Sequence, residues 1–366
     1  MPICTRTLPS VAALILALSL TAGPARAQAP ESAPEFEEAF HRTSGWTGAD
    51  GTYSYPLPGS GGTVWGFSDT FFGEVREGRR LSPFRFEHNS MVLQTGDRFD
   101  VLEAPVFHPP GGGKSWFWLW DGTSGGEILL GEFAGDADET GFGFRQVGLW
   151  TARFAVEGSR VKVTDYVKLP YFAQSDGRLV TFGPVVLETP SWLYLYGVRD
   201  QDGQRSCVLA RAPRGSLAVA GTWRFFDGEG WSREIDEAAP LFNEAGMEAS
   251  VYATASGEFV YVGGPMGSQI TARVAPTPWG PWGEAFAIGI APEHGGDVYA
   301  YNAKAHPEQP RDGRVLVSYN VNTTDLEKVT VDAEIYRPRF FWWRPERPGL
   351  LPEGAATGTV PFVFPP

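Results

Sequence analysis

Cysteine is nearly absent from this chain. The sequence of 366 residues contains two cysteines, of which Cys4 lies in the first few residues and Cys207 lies far downstream. If the chain is cleaved near its start, Cys207 has no partner within it, which excludes an internal disulfide framework. No cysteine ends the first apolar run, which argues against lipid attachment. The sequence therefore predicts a chain without disulfides and without a lipid anchor.

Long hydrophobic runs are equally scarce. The apolar run 11–20 is too short to cross a bilayer comfortably, follows the basic residue Arg6 and precedes the small-x-small pattern that ends at Ala27. This arrangement is typical of a secretory signal peptide. We therefore predict a signal peptide over 1–27, cleaved after Ala27, and a secreted or periplasmic protein with no membrane insertion.

Positive charge is outnumbered by negative charge. The formal net charge is −13, and loss of Arg6 and Arg26 with the signal peptide lowers it by two, to −15. An acidic surface repels phosphate backbones, so we expect no nucleic-acid partner, whereas a neutral polysaccharide carries no such penalty. The sequence has no His-Glu-x-x-His, phosphate-loop or Cys-x-x-Cys motif. We predict no required cofactor and no protein metal site, and leave open a structural ion in a central channel.

Long stretches of helical periodicity are missing, while turn and strand formers are abundant. The chain has 45 glycines, 30 prolines and 14% aromatic residues. This composition suits many short strands joined by tight turns. The sequence therefore predicts an all-β chain.

A turn followed by an aromatic and β-branched strand occurs five times. The five strands are 63–70, 115–123, 192–200, 258–264 and 314–320, and the strand candidates that follow them are 89–95, 147–154, 206–211, 269–275 and 332–341. A unit of roughly 50 to 75 residues with about four strands is typical of a propeller blade. We predict a monomeric, single-domain, five-bladed β-propeller over 41–366, after a flexible N-terminal segment over 28–40. A pair of β-sandwiches with coincidental spacing is the alternative.

Two aspartates flank the first of these hairpins. The turn is centred near Ser60, with Asp50 before it and Asp69 after it at nearly equal distances along the chain. Paired antiparallel strands would place the two carboxyl groups roughly 5 to 9 Å apart, a range that includes both separations used to cleave glycosidic bonds. The pair is therefore our catalytic candidate, and a turn role for both aspartates is the alternative.

Other residues at comparable places of the hairpins are candidates for substrate binding. They are Trp46, Asn89, Asp121, Glu248, Tyr301 and Asn302. We expect Asp121 to hold in the second hairpin the position that Asp69 holds in the first, and Glu248 to lie near the start of the channel. A structural or solvated role is the alternative for each.

Two stretches carry a family resemblance. Gly-Trp-Thr-Gly-Ala-Asp-Gly-Thr-Tyr-Ser at 45–54 and Val-Trp-Gly-Phe-Ser-Asp-Thr-Phe-Phe-Gly at 64–73 resemble the opening of the families called domains of unknown function 4185 and 5005, and 297–302 and 315–320 are similar to their last blade. The first family includes endo-D-arabinanases, five-bladed propeller glycoside hydrolases that act on the arabinan of mycobacterial cell walls. The resemblance implies that Asp50 and Asp69 match the two catalytic aspartates of those enzymes. Many relatives have glycine where this chain has Ser68, which leaves the exact substrate open.

The leading hypothesis is a secreted glycoside hydrolase that cleaves a furanose polysaccharide, similar to the endo-D-arabinanases, with Asp50 as base and Asp69 as acid. One alternative is a non-catalytic carbohydrate-binding propeller of the cell envelope, which would use the same aromatic channel mouth. A second is a polysaccharide lyase, which would need a tyrosine or histidine base and a uronic acid substrate. The linkage, endo or exo action and the stereochemical outcome stay open.

Overall fold

The structure is a computed structural model that describes residues 31–57, 62–135, 143–175 and 178–353. The signal peptide predicted over 1–27 lies outside the described residues. So does the tip of the first hairpin, at 58–61. Within the described ranges, no helix combines the length and the apolar character that a membrane crossing requires.

Strands dominate the described chain, in agreement with the all-β prediction. The first half has β1 (Glu31–Ser32), β2 (Ser44–Ala49), β3 (Tyr53–Pro56), β4 (Thr63–Phe67), β5 (Thr70–Arg76), β6 (Arg79–Glu87), β7 (Ser90–Thr95), β8 (Arg98–Val101), β9 (Trp116–Gly122), β10 (Glu127–Gly135), β11 (Phe144–Glu157), β12 (Arg160–Leu169) and β13 (Phe172–Ser175). The second half has β14 (Arg178–Glu188), β15 (Trp192–Gln201), β16 (Gln204–Pro213), β17 (Arg224–Phe226), β18 (Trp231–Ser232), β19 (Phe242–Asn243), β20 (Ser250–Ala253), β21 (Phe259–Gly263), β22 (Gln269–Ala275), β23 (Phe286–Ile290), β24 (Val298–Arg311), β25 (Arg314–Thr323) and β26 (Pro338–Trp343). The helices are α1 (Pro34–Phe40) and α2 (Leu326–Val331), with 3-10 turns at Ile235–Glu237 and Pro348–Leu350.

These strands form antiparallel sheets that follow one another along the chain. Sheet 1 has the order β3-β4-β7-β8, sheet 2 β9-β10-β11-β12, sheet 4 β20-β21-β22-β23 and sheet 5 β24-β25-β26-β1. Sheet 3 runs from β13 to β18, and β19 pairs with its strand β16. A smaller sheet, β2-β5-β6, includes the β5–β6 hairpin that interrupts sheet 1 between β4 and β7, and we call it the insert sheet.

Five strands contact each other in a closed ring. They are β3, β9, β14, β20 and β24, one from each of sheets 1 to 5, and we call them the ring strands. Hydrophobic clusters fill the gaps between sheets 1, 2 and 3, between 3 and 4, between 4 and 5, and between 5 and 1. The core is therefore divided among neighbouring sheets, unlike that of a sandwich, which lies between two facing sheets.

The flexible segment predicted over 28–40 is wrong for its described part. Strand β1 pairs with β26 at the edge of sheet 5, and α1 buries Phe36 and Phe40 against Phe340. The proline, glutamate and alanine content of this stretch suggested a tether. Two phenylalanines four residues apart, however, lie on one face of a helix and can enter the core. The N-terminal segment thereby joins the start of the chain to its last sheet.

The structure has a strand at each of the five positions that the repeat predicted: β4, β9, β15, β21 and β25. Four of them lie next to the ring strand of their sheet, whereas β9 is itself a ring strand. The repeat pattern did not reveal β10, which follows β9, and it placed the second strand of this unit at 147–154, within β11. The expected equivalence of Asp121 and Asp69 is therefore wrong, because Asp121 ends a ring strand and Asp69 follows the strand beside one.

Candidate active site

The first hairpin brings Asp50 and Asp69 together. Strand β3 pairs with β4, with Tyr53 opposite Gly66, and the same register continued by three residues on each strand sets Asp50 opposite Asp69. The amide of Asp50 donates to the carbonyl of Asp69 at 3.2 Å, and the amide of Ser68 donates to the carbonyl of Asp50 at 2.9 Å. The two aspartates thus lie where the β3–β4 pairing passes into the β2–β5 pairing of the insert sheet, in which Ala49 is opposite Thr70.

Sheet 5 and the segment before β26 surround the Asp50 carboxyl group. The phenol hydroxyls of Tyr301 and Tyr336 donate to its Oδ2 atom at 2.8 and 3.0 Å. Its Oδ1 atom is buried and has no hydrogen-bond partner among the described residues. One oxygen is therefore fixed by two donors, and the other lacks a partner.

Burial raises the pKa of Asp50 well above its ordinary value. The negative charges of Asp69 and Glu248 raise it further, while the hydrogen bonds from the two phenols lower it. Burial also raises the pKa of Tyr301 and Tyr336 well above 10, so both phenols remain neutral donors. Asp50 is therefore held as a neutral carboxylic acid at a pH where an ordinary aspartate is ionised.

Asp69 has a different environment. Its Oδ1 atom is 2.8 Å from Nδ1 of His88 and accepts a hydrogen bond of 2.8 Å from the indole Nε1 of Trp118. His88 follows the last strand of the insert sheet, and Trp118 lies on the ring strand β9. Because both contacts involve Oδ1, Oδ2 is the oxygen of Asp69 that a substrate or water can approach.

A buried ion pair supports the backbone next to Asp50. The Nζ atom of Lys304 lies 2.6 Å from Oε2 of Glu248 and also donates to the carbonyls of Gly51 and Asn302. Burial raises the pKa of Glu248 and lowers that of Lys304, and the attraction between the two charges opposes both shifts. Removing one partner of such a pair leaves an uncompensated buried charge. The pair therefore ties β24 and the segment before β20 to the first hairpin.

Two glycines make this close packing possible. A Cβ atom at Gly48 would lie 2.5 Å from the carbonyl oxygen of Tyr336. Gly51 has a φ of +87°, and a Cβ atom there would lie 3.0 Å from the amide nitrogen of Ser68. A side chain at Gly48 would therefore displace the tyrosine that binds Asp50, and one at Gly51 would strain the end of the hairpin.

Two of the residues predicted to bind substrate are structural instead. Trp46 is only 1% exposed, and so is Asn89. The Asn89 side chain donates to the carbonyls of Phe107 and Phe117 and accepts from the amides of Val106 and Phe107. The prediction is wrong for both, because their side chains are packed or bonded inside the fold and cannot reach a ligand.

Asp121 and Asn302 also make their contacts within the protein. The two oxygens of Asp121 accept hydrogen bonds from the amides of Gly122 and Val186 at 2.8 and 2.7 Å, and burial raises its pKa to about 7. Asn302 has a φ of +53° and offers its carbonyl to Lys304. Of the predicted binding residues, Glu248 and Tyr301 are thus the two whose side chains act on Asp50.

Tyr336 and Trp118 contact the aspartates but were not among the site residues predicted from the sequence. Tyr336 lies 286 residues from Asp50 along the chain and has no motif around it, so no local signal could have revealed it. Trp118 lies in a predicted strand, two residues from Trp116, and alternation places both on one face. That face could have been recognised as a source of indole donors. The described residues contain no group of three or more His, Cys, Asp or Glu side chains that could hold a metal ion.

The fold is similar to those of several solved structures. A "putative hydrolase" from Bacteroides ovatus matches with a TM-score of 0.69 and 18% identity, over 85% of this chain and 89% of that chain, and this likeness shows a shared fold. A mutant of the alpha-L-arabinanase of Cellvibrio cellulosa matches with a TM-score of 0.45 and 7% identity, over 81% and 91% of the two chains. A thermostable family-43 glycoside hydrolase matches with a TM-score of 0.43 and 12% identity, over 85% and 98%.

A comparison with curated proteins gives no match. The profile of one family covers residues 34–344, which include both aspartates of the first hairpin, the phenols at Asp50 and the donors at Asp69. The match therefore extends over all five sheets and confirms one of the two families that the sequence resembles. This chain belongs to the family described as Domain of unknown function (DUF5005).

Proposed function

We propose that this protein is a glycoside hydrolase whose acid and base are the two aspartates of the first hairpin. The observation that carries the proposal is the difference between the surroundings of two carboxyl groups whose residues are paired in one hairpin. Asp50 is kept neutral by burial and by neighbouring negative charge, whereas Asp69 contacts Nδ1 of His88 and accepts a hydrogen bond from Trp118, both through a single oxygen. Glycosidic cleavage requires one protonated and one ionised carboxyl group.

In this mechanism Asp50 is the general acid. Its protonated carboxyl group donates a proton to the glycosidic oxygen as the bond between that oxygen and the anomeric carbon breaks. Oδ2 of Asp69 takes a proton from a water molecule, whose oxygen forms the new bond to the anomeric carbon. The proton balance is restored when Asp69 releases its proton and Asp50 regains one. This order reverses the one expected from the sequence, because Asp50 is the carboxyl group that burial and charge keep protonated.

The substrate we propose is a neutral furanose polysaccharide, cleaved by an enzyme similar to the endo-D-arabinanases. The support is the sequence resemblance at 45–54 and 64–73, which contain both aspartates. We further propose that sheets 1 to 5 are the five blades of a propeller. The closed ring of strand contacts and the clusters between successive sheets support this architecture. The signal pattern at 1–27 supports export, which N-terminal sequencing of the mature protein would test.

The experiment is a glycan screen that measures the release of reducing ends. Arabinan, arabinogalactan and other plant and bacterial polysaccharides are incubated with the wild-type protein and with Asp50→Asn. We expect new reducing ends from an arabinan with the wild type and none with the variant. Release that continues unchanged in Asp50→Asn would contradict the assigned acid.

The same screen separates the two alternatives. A carbohydrate-binding protein would bind a glycan and release no reducing ends, and a lyase would release unsaturated products that absorb in the ultraviolet. Tyr301 and Tyr336 are held as neutral donors to Asp50 and are poorly suited to act as the base of a lyase.

A further inference from the structure

Exposed aromatic rings continue from the two aspartates along the insert sheet. Phe86 is 41% exposed, and the side chain of His88, which contacts Asp69, is 38% exposed. The two are two residues apart, and their rings meet edge to face with centroids 5.7 Å apart. On its other side His88 stacks on Trp116 at 4.3 Å, with an angle of 15° between the planes. We call Phe86, His88 and Trp116 the aromatic row.

The aromatic row is connected to both carboxyl groups. The ring of Tyr336, which donates to Asp50, lies 5.6 Å from that of Phe71, and Phe71 lies 4.9 Å from Phe86. At the other end, Nδ1 of His88 lies 2.8 Å from Asp69. A continuous series of ring contacts therefore links Tyr336, the partner of Asp50, to His88, the partner of Asp69. This differs from single exposed apolar residues, which are common on protein surfaces and need no explanation.

The charge around the row favours a neutral ligand. Arg85, beside Phe86 on the same strand, lies 2.6 Å from Glu87 and stacks over the ring of Phe72. Its charge is thus already paired, so the exposed surface here consists of Phe86, His88 and a neutralised ion pair. The face of an aromatic ring carries partial negative charge, which suits the C–H groups on the face of a sugar ring.

We propose that the aromatic row is a saccharide-binding subsite in which one neutral sugar ring packs on the ring of Phe86, beside His88. This inference rests on the proposed hydrolase function, since it assigns the row to the same glycan whose bond lies between Asp50 and Asp69. It predicts that a substrate must extend past the cleaved bond toward the insert sheet to bind at full strength. Trp116 supports the row by fixing the plane of His88.

The test compares Phe86→Ala with Phe86→Tyr and with a matched control, Phe286→Ala. Phe286 is 38% exposed and lies on β23, the outer strand of sheet 4. Binding of arabino-oligosaccharides of increasing length is measured by calorimetry, and their cleavage by release of reducing ends, in parallel with melting temperatures. We expect Phe86→Ala to weaken binding and raise KM about fivefold to tenfold, with little change in kcat. Phe86→Tyr should restore both, and Phe286→Ala should resemble the wild type.

The outcomes separate this inference from the proposed function. If the wild type cleaves and a folded Phe86→Ala binds and cleaves as well as Phe286→Ala, the subsite is refuted and the hydrolase stands. If the wild type binds these oligosaccharides without cleaving them and Phe86→Ala binds more weakly, the subsite stands and the hydrolase fails. A wild type that neither binds nor cleaves any of them overturns the subsite together with the arabinan assignment.

Discussion

The surroundings of Asp50 and of Asp69 differ, although the two residues face each other across one hairpin. Asp50 is enclosed by groups from sheet 5 and lies near a buried ion pair. One of its oxygens is bound by two phenols, and the other is buried and has no partner in the described part of the chain. Asp69 has a side chain that is 15% exposed, and it contacts an imidazole and an indole from the insert sheet and sheet 2. The hairpin sets the distance between the two residues, and the other sheets make them chemically unequal.

This contrast explains how two identical side chains can divide the roles of acid and base. Desolvation and like charge favour the neutral form of a carboxyl group. Both act on Asp50 and raise its pKa, whereas Asp69 contacts two ring nitrogens through one oxygen. Substitutions on each side of the hairpin can test this difference between the surroundings of Asp50 and Asp69.

The largest expected effect comes from removing either carboxyl group. Asp50→Asn and Asp69→Asn should each lower kcat by about 10²–10⁴-fold, the usual contribution of a positioned acid or base. Melting temperatures should change little, because an asparagine carbonyl can still accept the hydrogen bonds. Steady-state kinetics and thermal unfolding check both points, with the exposed turn residue Asp202→Asn as control. A variant with normal activity would remove its residue from the mechanism.

A second test compares a buried ion pair on the Asp50 side with an exposed one near Asp69. Lys304→Met should lower the free energy of unfolding by about 3–5 kcal/mol, because it leaves the buried Glu248 unpaired, and adding Glu248→Gln should recover much of the loss. Arg85→Met, which breaks an exposed pair, should cost no more than about 1 kcal/mol. Urea unfolding measures all three variants. Equal losses for Lys304→Met and Arg85→Met would show that the two sides are not different.

The pH dependence of stability sharpens the same comparison. Glu308 lies on β24 with Lys304, and burial raises its pKa from 4.5 to about 7. Between these values the folded chain keeps a proton that the unfolded chain loses, so this group lowers the free energy of unfolding as pH rises through the window. Glu308→Gln should therefore gain stability relative to the wild type from pH 4 to pH 8. If the free energies of unfolding of Glu308→Gln and of the wild type differ by the same amount at every pH in this range, the raised pKa of Glu308 is contradicted.

The smallest effect is expected from Tyr336→Phe. It removes one of two hydrogen bonds that lower the pKa of Asp50, so that pKa should rise further. The limb of the pH–rate profile in which activity falls with rising pH should therefore move to higher pH. The value of kcat should fall by a few fold, because one hydrogen bond contributes about 1 kcal/mol. Tyr252→Phe removes a hydroxyl that bonds a distant carbonyl and should leave the profile in place. A limb that moves to lower pH would show that Asp50 is not its source.

The parts of the site that were predictable from the sequence are those fixed by local geometry. The register of one hairpin is set by its turn, so the pairing of Asp50 and Asp69 follows from their nearly equal distances from that turn. Strand candidates at 63–70 and 314–320 follow from composition and turn signals. The pairing of β1 with β26 did not follow, because such contacts depend on how the last sheet meets the start of the chain.

Non-local contacts also decided which aromatic and polar residues reach the site. Trp46 lies four residues before Asp50 in the sequence and Asn89 directly follows His88, yet both are buried in the core. Tyr336 and His88 reach the aspartates from other elements of the fold. A sequence pattern shows which residues are neighbours along the chain. Whether a side chain faces a ligand or packs inward depends on contacts with other sheets, which the pattern does not show.

The most direct test of the central claim compares Asp50→Asn and Asp69→Asn on aryl glycosides with good and poor leaving groups. A good leaving group departs without a proton, so it replaces the general acid and leaves the need for a base unchanged. We predict that Asp50→Asn has most of the wild-type kcat/KM on a dinitrophenyl glycoside and is inactive on a glycoside of a poorly acidic phenol. Asp69→Asn should be inactive on both substrates. Recovery by Asp69→Asn, with none by Asp50→Asn, would contradict the assignment of Asp50 as the proton donor.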